Sequence, residues 1–215
     1  MEATMAKTAQ PQRFWDRMAE RYSKKPVADQ ASYEKKLEIT RRYFRPDMEV
    51  LEIGCGTGST ALAHAPYVKH IRATDLSPKM LAIAQRKADA AQVANVTFEH
   101  AAVADVTAPD GSVDVAMAHS ILHLLEDPDA AIARIYNMLK PGGVFVSSTV
   151  CIADMMPLWR LLIPIARLIG LAPMVKILSK TDVVESMKAA GFEIDHEWQP
   201  GKRISVFLVA KKPAA

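Results

Sequence analysis

The apolar run Val50-Leu51-Glu52-Ile53 ends directly in Gly54-Cys55-Gly56-Thr57-Gly58, and the next apolar run, Ile71-Arg72-Ala73-Thr74, is closed by Asp75. A buried strand that breaks into a glycine turn and reopens as a helix brings backbone close to a ligand where any Cβ would collide. The N–H groups at the helix start favour a negative ligand group in the same space. Asp75 stands where acids of nucleotide-binding α/β folds accept two hydrogen bonds from a ribose diol. Together these residues read as a site for a nucleoside-bearing cofactor.

The spacing narrows the cofactor. A dinucleotide fingerprint wants glycine at its first, third and sixth places, which here hold Gly54, Gly56 and Ser59, so the last is missing and Gly58 comes one residue early. No Gly-Lys-Ser or Gly-Lys-Thr occurs, which excludes a P-loop. An acid two residues ahead of a GxGxG turn resembles the class I, seven-strand, Rossmann-like S-adenosylmethionine (SAM) methyltransferases. The segments "VLEIGCGTG", "ATDLSPKMLAIAQRKA", "NVTFEH", "DGSVDVAMAHSILHLLEDP", "LKPGGVFV" and "AAGFEI" follow that family's order and spacing. They span roughly residues 30–210, and the chain looks like a small-molecule member.

That resemblance implies an α/β fold with a doubly wound, seven-stranded, mostly parallel sheet and a C-terminal antiparallel hairpin strand. It also implies N-terminal helices and a helical insertion after strand five. It places Glu52, Gly54, Cys55, Gly56, Thr57 and Gly58 around the amino-acid part of SAM. Asp75 falls on the ribose, and Leu76 and Met80 lie beside the adenine. His119 follows strand four, where relatives border the methionine part, and Tyr22 aligns with a tyrosine that closes over the cofactor. The chain departs from the family after strand three. An acid that holds the adenine amino group is replaced by the stretch Ala101-Ala102-Val103, leaving Ala102 and Val103 beside the base, with Asp105 or backbone to supply the missing contact.

With 215 residues, half of them hydrophobic, the chain has material for one core and is read as a single domain. Within it, 1–45 forms a helical cap, 46–150 the cofactor core, 151–180 an apolar insertion and 181–215 the last helix and hairpin. The net charge of +3 is dispersed, and no helix-turn-helix, zinc spacing or aromatic–basic alternation points to nucleic acid. Arg41, Arg42 and Arg45 fit a helix C-terminus. Cys55 and Cys151 are too few for a disulfide framework. The first ten residues hold no apolar core, so the expected location is cytoplasmic.

Phe14, Trp15, Met18, Ala19 and Tyr22 recur at helical spacing, and a second helix is expected over 33–43, ended before Pro46. Strands are expected near 49–53, 70–75, 96–99, 113–118 and 144–149. Helices are expected from Gly58, over 78–91 and after Asp127-Pro128, with Ser77-Pro78 as a cap and first turn. Pro141-Gly142-Gly143 is read as the turn into strand five. Phe192–Trp198, Pro200-Gly201 and Arg203–Val209 are read as the closing hairpin.

Residues 152–178 are rich in Leu, Ile and Met, broken by Pro157, Pro164 and Pro173, and carry Arg160, Arg167 and Lys176. Those charges and prolines argue against a spanning helix, which needs about 20 nearly uncharged residues. Two readings stand: an apolar lid over the acceptor pocket, to which Trp159 contributes, or a membrane-surface helix contacting lipid through 155–178. Candidate chemistry lies where strands four and five end, at His119, Ser120, His123, Cys151 and Asp154. His123, among Leu122, Leu124 and Leu125, is either a neutral proton acceptor or a packed histidine. His119 and His123 sit at i, i+4 without a third ligand, so no metal is expected. Asp154 is either a pocket residue or a helix cap. Glu126 and Asp127 read as helix-start acids.

Three functions remain open. The first is SAM-dependent methyl transfer, leaving S-adenosylhomocysteine, to a small and fairly apolar acceptor, a thiol among the candidates. The second is the same reaction on a membrane quinone or phospholipid, and the third is a SAM-binding regulator without turnover. The oligomeric state is not readable from the sequence.

Overall fold

The computed structural model describes residues 2–154, 175–200 and 205–214, with side chains described from Gln10 onward. Its elements run α1 (Glu2–Lys24), α2 (Gln30–Arg41), β1 (Glu49–Ile53), α3 (Ser59–His64), β2 (His70–Asp75), α4 (Pro78–Ala90) and β3 (Val96–His100). They continue with β4 (Val113–His119), α5 (Pro128–Met138), β5 (Leu139–Thr149), α6 (Lys180–Ala189), β6 (Glu193–Trp198) and β7 (Val206–Lys211). The seven strands form one sheet in the order β3-β2-β1-β4-β5-β7-β6. β1 pairs β2, β2 pairs β3 and β4 pairs β5 in parallel, while β7 runs antiparallel to both β5 and β6. The fold class expected from sequence is therefore the one observed. The chain divides into two compact units, Met1–Thr107 and Ala108–Ala215.

In the first unit, β1 reads as an almost unbroken apolar run because both of its faces are covered: Val50, Leu51 and Ile53 are all buried. α4 starts as its sequence predicts. The Ser77 hydroxyl accepts the Met80 N–H at 3.2 Å and Pro78 occupies the first turn, where a missing N–H costs nothing. Met80, Leu81, Ile83, Ala84 and Ala88 give α4 its buried face. Ala19 of α1 packs with Met80 and Ile83, and Trp15 covers the cluster. α2 begins at Gln30 rather than Tyr33, because the Asp29 carboxylate accepts the Ser32 N–H at 3.0 Å and caps it there. The helix after the glycine turn is short: α3 has 6 residues before a 3-10 turn over Ala65–Tyr67, with Pro66 in its first positions. The arginines that end α2 have local work. Arg41 donates to the Ala63 carbonyl at 3.0 Å and lies 4.5 Å from the Tyr67 ring centroid, and Arg42 pairs with Glu38.

In the second unit, β4 is buried from Val113 to Ala118. Pro141-Gly142-Gly143 is not a turn ahead of β5 but an irregularity within it. Val113 pairs Leu139 and Val115 then pairs Val144, so the intervening residues are extruded, with Gly142 at φ 74°. A Cβ on Gly143 would lie 2.7 Å from the Lys140 carbonyl oxygen, which leaves only glycine for that position. The Asp127 carboxylate caps α5 through the Ala130 N–H at 2.9 Å. The closing hairpin is present as β6 and β7; Gly201 and Arg203 of its expected turn region lie outside the described residues. Most of the apolar insertion, 155–174, also lies outside them, including Trp159, Arg160 and Arg167. At its two ends, Ala153 donates to the Leu178 carbonyl at 3.0 Å and Lys176 to the His123 carbonyl at 2.7 Å. Among the described residues no helix is long and apolar enough to cross a membrane.

Candidate functional site

The tip of β2 is tied to the glycine turn through Asp75. Its Oδ2 accepts the Gly56 N–H at 2.8 Å and its Oδ1 accepts the Ser77 N–H at 2.8 Å. Each carboxylate oxygen keeps a second lone pair, so the acid still has acceptor capacity for a diol. Burial pushes the Asp75 carboxyl up, against the pull of the Ser77 and Gly56 N–H groups. The turn is also held by Cys55 N–H donating to the Thr74 carbonyl at 2.9 Å and Gly58 N–H to the Cys55 carbonyl at 3.0 Å.

Glu52 lies on β1 directly before this turn and is 2 % exposed. One side of its carboxyl is served by the Ala61 backbone N–H, while Oε2, fully enclosed, has no hydrogen-bond partner. Burial, with the nearby Asp75 second, pushes its carboxyl up to about 8. A buried carboxylate oxygen without a donor is costly, and proteins rarely keep one. Its complement is a cationic donor.

The glycines of the turn divide by role. Gly56, at φ 54°, would point a Cβ into open space, with nothing within 4 Å. Gly58, at φ 73°, would drive a Cβ to 2.7 Å from Ala84 Cβ and 3.0 Å from the Phe98 ring, so its missing side chain is explained by packing on α4 and β3. Thr57 is likewise turned to the framework: Lys87 Nζ reaches its carbonyl at 3.2 Å, its hydroxyl at 3.0 Å and the Ser59 hydroxyl at 3.1 Å. The Cys55 thiol is buried against the Gly56 carbonyl, and burial holds it far above the range in which a thiolate forms.

The residues expected at the adenine are placed as follows. The Leu76 side chain is half-buried, and its carbonyl accepts from His100 Nε2 at 2.9 Å. Met80 is 2 % exposed within the cluster that docks α1, which accounts for it without an adenine. Ala101 donates to the Asp75 carbonyl at 3.1 Å, and the Ala102 carbonyl accepts from Asp105 and Val106 N–H groups around the 3-10 turn Val103–Asp105. Asp105 is exposed on that turn. Tyr22 is 49 % exposed and meets Trp15 edge-on at 6.4 Å.

Two neighbours of this site escaped the sequence reading. Tyr33 is half-buried beside Glu52 and hydrogen-bonded to the Thr60 side chain, and burial raises its phenol. Asp16 of α1 accepts the Ser77 hydroxyl at 2.6 Å and the Lys79 N–H at 3.3 Å. The signal for Asp16 was its position three residues before the buried Ala19, an acid on the docking face of an amphipathic helix.

The second group lies at the ends of β4 and β5. His119 closes β4 opposite Ser148, and Ser120 follows with the left-handed φ of 57°. His123 is buried in the 3-10 turn Leu122–Leu124; its Nδ1 has no partner, and burial pulls the imidazole down to about 4. Strand and 3-10 turn do not make a helical i, i+4 pair, and among the described residues no cluster of three metal-ligating side chains occurs. Cys151 is buried, its thiol faces the Thr149 carbonyl at 3.6 Å, and burial pushes it up to about 11. Asp154, expected as a pocket residue or a helix cap, is exposed and accepts the Lys180 N–H at 2.8 Å at the start of α6, whose N-cap is Ser179.

Residues 50–143 match the family described as a methyltransferase domain. Over that segment the chain carries a methyltransferase domain and is similar to the class I SAM-dependent methyltransferases. An uncharacterized methyltransferase, YcgJ of Bacillus subtilis (strain 168), is 32% identical over 110 residues, 51% of this chain and 44% of the relative. Its crystal structure superposes with a TM-score of 0.70 at 19% identity, covering 85% of this chain and 100% of that one. A malonyl-[acyl-carrier protein] O-methyltransferase of Paenibacillus sp. (strain JDR-2) is 30% identical over 164 residues, 73% of this chain and 59% of the relative. The [4+2]-cyclase SpnF shares the fold at a TM-score of 0.73 and 21% identity, over 89% of this chain and 84% of that one. The chain spans 24%, 44%, 42% and 59% of the lengths of four curated relatives that it matches. SAM, the cofactor the family implies, fits the residues present. The partnerless Glu52 oxygen suits its ammonium group, and the open side of Gly56 leaves room for it.

Proposed function

We propose that this methyltransferase family member binds SAM across the tips of β1 and β2 and catalyses methyl transfer to a small, fairly apolar acceptor. The observation that carries the reading is the enclosed, partnerless Oε2 of Glu52 beside a carboxylate, Asp75, whose backbone bonds leave lone pairs for a diol. Glu52 would hold the ammonium, Gly54 and Gly56 the amino-acid end, and Asp75 the ribose hydroxyls. The cofactor, when bound, supplies an electrophilic methyl group on a sulfonium. The chain's own contribution is then alignment of the acceptor and exclusion of water, which is where much of the rate of such a displacement arises. An acceptor that arrives protonated needs a base. His123, kept neutral by burial and with Nδ1 unpartnered, is the residue suited to take that proton. Cys151 and Asp154 are already engaged in the framework and are not assigned to chemistry.

The acceptor is a small molecule with an oxygen, nitrogen or thiol nucleophile; the Paenibacillus relative named for O-methylation favours oxygen. The membrane-lipid or quinone variant of this reading rests on residues 155–178, and absence of binding to anionic liposomes at low salt removes it. A second reading, cofactor binding without methyl turnover, is favoured by the stretch Ala101-Ala102-Val103 where the family resemblance implies an acid, and by a cyclase on the same fold. Calorimetry with S-adenosylhomocysteine tests the first part of the proposal, and a metabolite screen for labelled methyl transfer separates the two readings. Absence of binding ends both.

A further inference from the structure

The bonds around Asp75 continue outward in an unbroken series. Gly56 N–H and Ser77 N–H hold the two oxygens of Asp75, each at 2.8 Å. The Ser77 hydroxyl donates to Asp16 Oδ1 at 2.6 Å and accepts from Met80 N–H at 3.2 Å. Asp16 Oδ1 also receives the Lys79 N–H at 3.3 Å. A hydroxyl has one proton, so once Asp16 takes it, the oxygen's lone pairs are directed to the helix N–H. Asp16 thereby fixes the rotamer of Ser77 and supplies negative charge at the first turn of α4, where the macrodipole rewards it. The contact is not a loose surface pair. α1 runs in the same sense as α4, with Asp16 at Ser77, Ala19 at Met80 and Ile83, and Glu20 at Arg86, and Trp15 seals the packed side.

We infer that Asp16 is a positioning residue for cofactor binding: acting through Ser77, it sets the orientation of the Asp75 carboxylate that the ribose engages. This rests on the SAM-binding reading above. It also gives α1 a role beyond covering α4, since the helix reaches the β2 tip only through this one side chain among the described hydrogen bonds.

The test is a double-mutant cycle on S-adenosylhomocysteine affinity, read by calorimetry with the full chain, using Asp16→Ala, Asp75→Ala and the pair. Asp16→Ala is expected to weaken binding about five- to tenfold, a loss typical of one charged hydrogen bond in a coupled network. In the Asp75→Ala background the same change is expected to cost less than twofold, because the carboxylate it orients is gone. Asp16→Asn keeps an acceptor oxygen and is expected to restore affinity to within about threefold of the wild type. If Asp16→Ala does not fold, Ser77→Gly removes the hydroxyl while keeping a residue tolerated at a helix N-cap, and it is expected to show the same dependence on Asp75. Equal losses in the presence and absence of Asp75, or an unchanged affinity in Asp16→Ala, overturn the inference. Failure of the wild-type protein to bind at all overturns the cofactor reading itself, and the inference with it.

Discussion

The tip of β1 and β2 and the end of β4 and β5 both gather polar residues after buried strands, yet they are built to different specifications. At the first, bonds run between distant segments: Gly56 to Asp75, Asp75 to Ser77, Ser77 to Asp16, Lys87 to Thr57. Among the described residues there, the enclosed Oε2 of Glu52 has no hydrogen-bond partner, and its complement is a cationic donor. At the second, the polar groups are absorbed locally. Cys151 turns to Thr149, Asp154 accepts the Lys180 N–H at the start of α6, and Nδ1 of the buried His123 has no hydrogen-bond partner. The difference teaches where specificity is written. On the reading proposed above, a shared cofactor would be met by the bonded framework and the acceptor by apolar surroundings and the buried His123 imidazole.

The contrast can be broken most sharply inside the glycine turn. Gly58→Ala is expected to cost about 2 to 5 kcal/mol of stability, a left-handed Cβ plus overpacking on Ala84 and Phe98, seen as a lowered denaturant midpoint. Gly56→Ala meets open space, so its stability cost is expected to be only the left-handed penalty, about 1 to 2 kcal/mol. Its S-adenosylhomocysteine affinity is expected to fall at least about tenfold, or 1.4 kcal/mol. If the two variants behave alike, the division of roles within the turn is wrong. Asp75→Ala is expected to weaken the same ligand by about 1 to 3 kcal/mol, and unchanged affinity would move the ribose elsewhere.

Titration sharpens the comparison further because the two regions respond with opposite sign. The Glu52 carboxyl is raised from its ordinary 4.5 to about 8, so between those values the folded chain binds more protons than the unfolded one. Ligand-free stability is therefore expected to fall as pH rises through that window, and Glu52→Gln to flatten the slope. His123 is lowered from 6.5 to about 4, so the unfolded chain binds more protons in that interval. Its contribution is expected to be lost as pH falls from 6.5 toward 4, and His123→Gln removes that dependence. The same variant is expected to reduce turnover at least about tenfold, the low side of general-base effects, while sparing cofactor affinity. The smallest effect belongs to Cys151→Ala, expected to leave methyl transfer unchanged and cost about 1 kcal/mol of stability.

Much of the framework was legible because its signals are local. Ser77-Pro78 and Asp127-Pro128 mark helix starts by their own chemistry, and both side chains cap as expected. β1 and β2 were bounded to the residue by apolar runs that end at Gly54 and Asp75. The Pro141-Gly142-Gly143 irregularity was not legible. Turn residues inside a paired strand look like turn residues before one, and only the partner's register, Val113 and Val115 on β4, distinguishes them. The split between Gly56 and Gly58 was hidden for a similar reason, since the atoms that fill the space at Gly58 come from Ala84 and Phe98, far along the chain. Asp16 was missed because its partner lies 61 residues away. Asp154 was open to two readings because the Lys180 N–H that it accepts lies 26 residues away.

The most direct test is calorimetric titration of the wild-type chain with S-adenosylhomocysteine at pH 7, repeated in buffers of different ionisation enthalpy. The expected result is one site per chain, with a proton released on binding as Glu52 ionises to meet the ligand's ammonium, and with that release abolished in Glu52→Gln. No binding heat, or binding with the same proton balance in both proteins, contradicts a cradle organised around that buried acid.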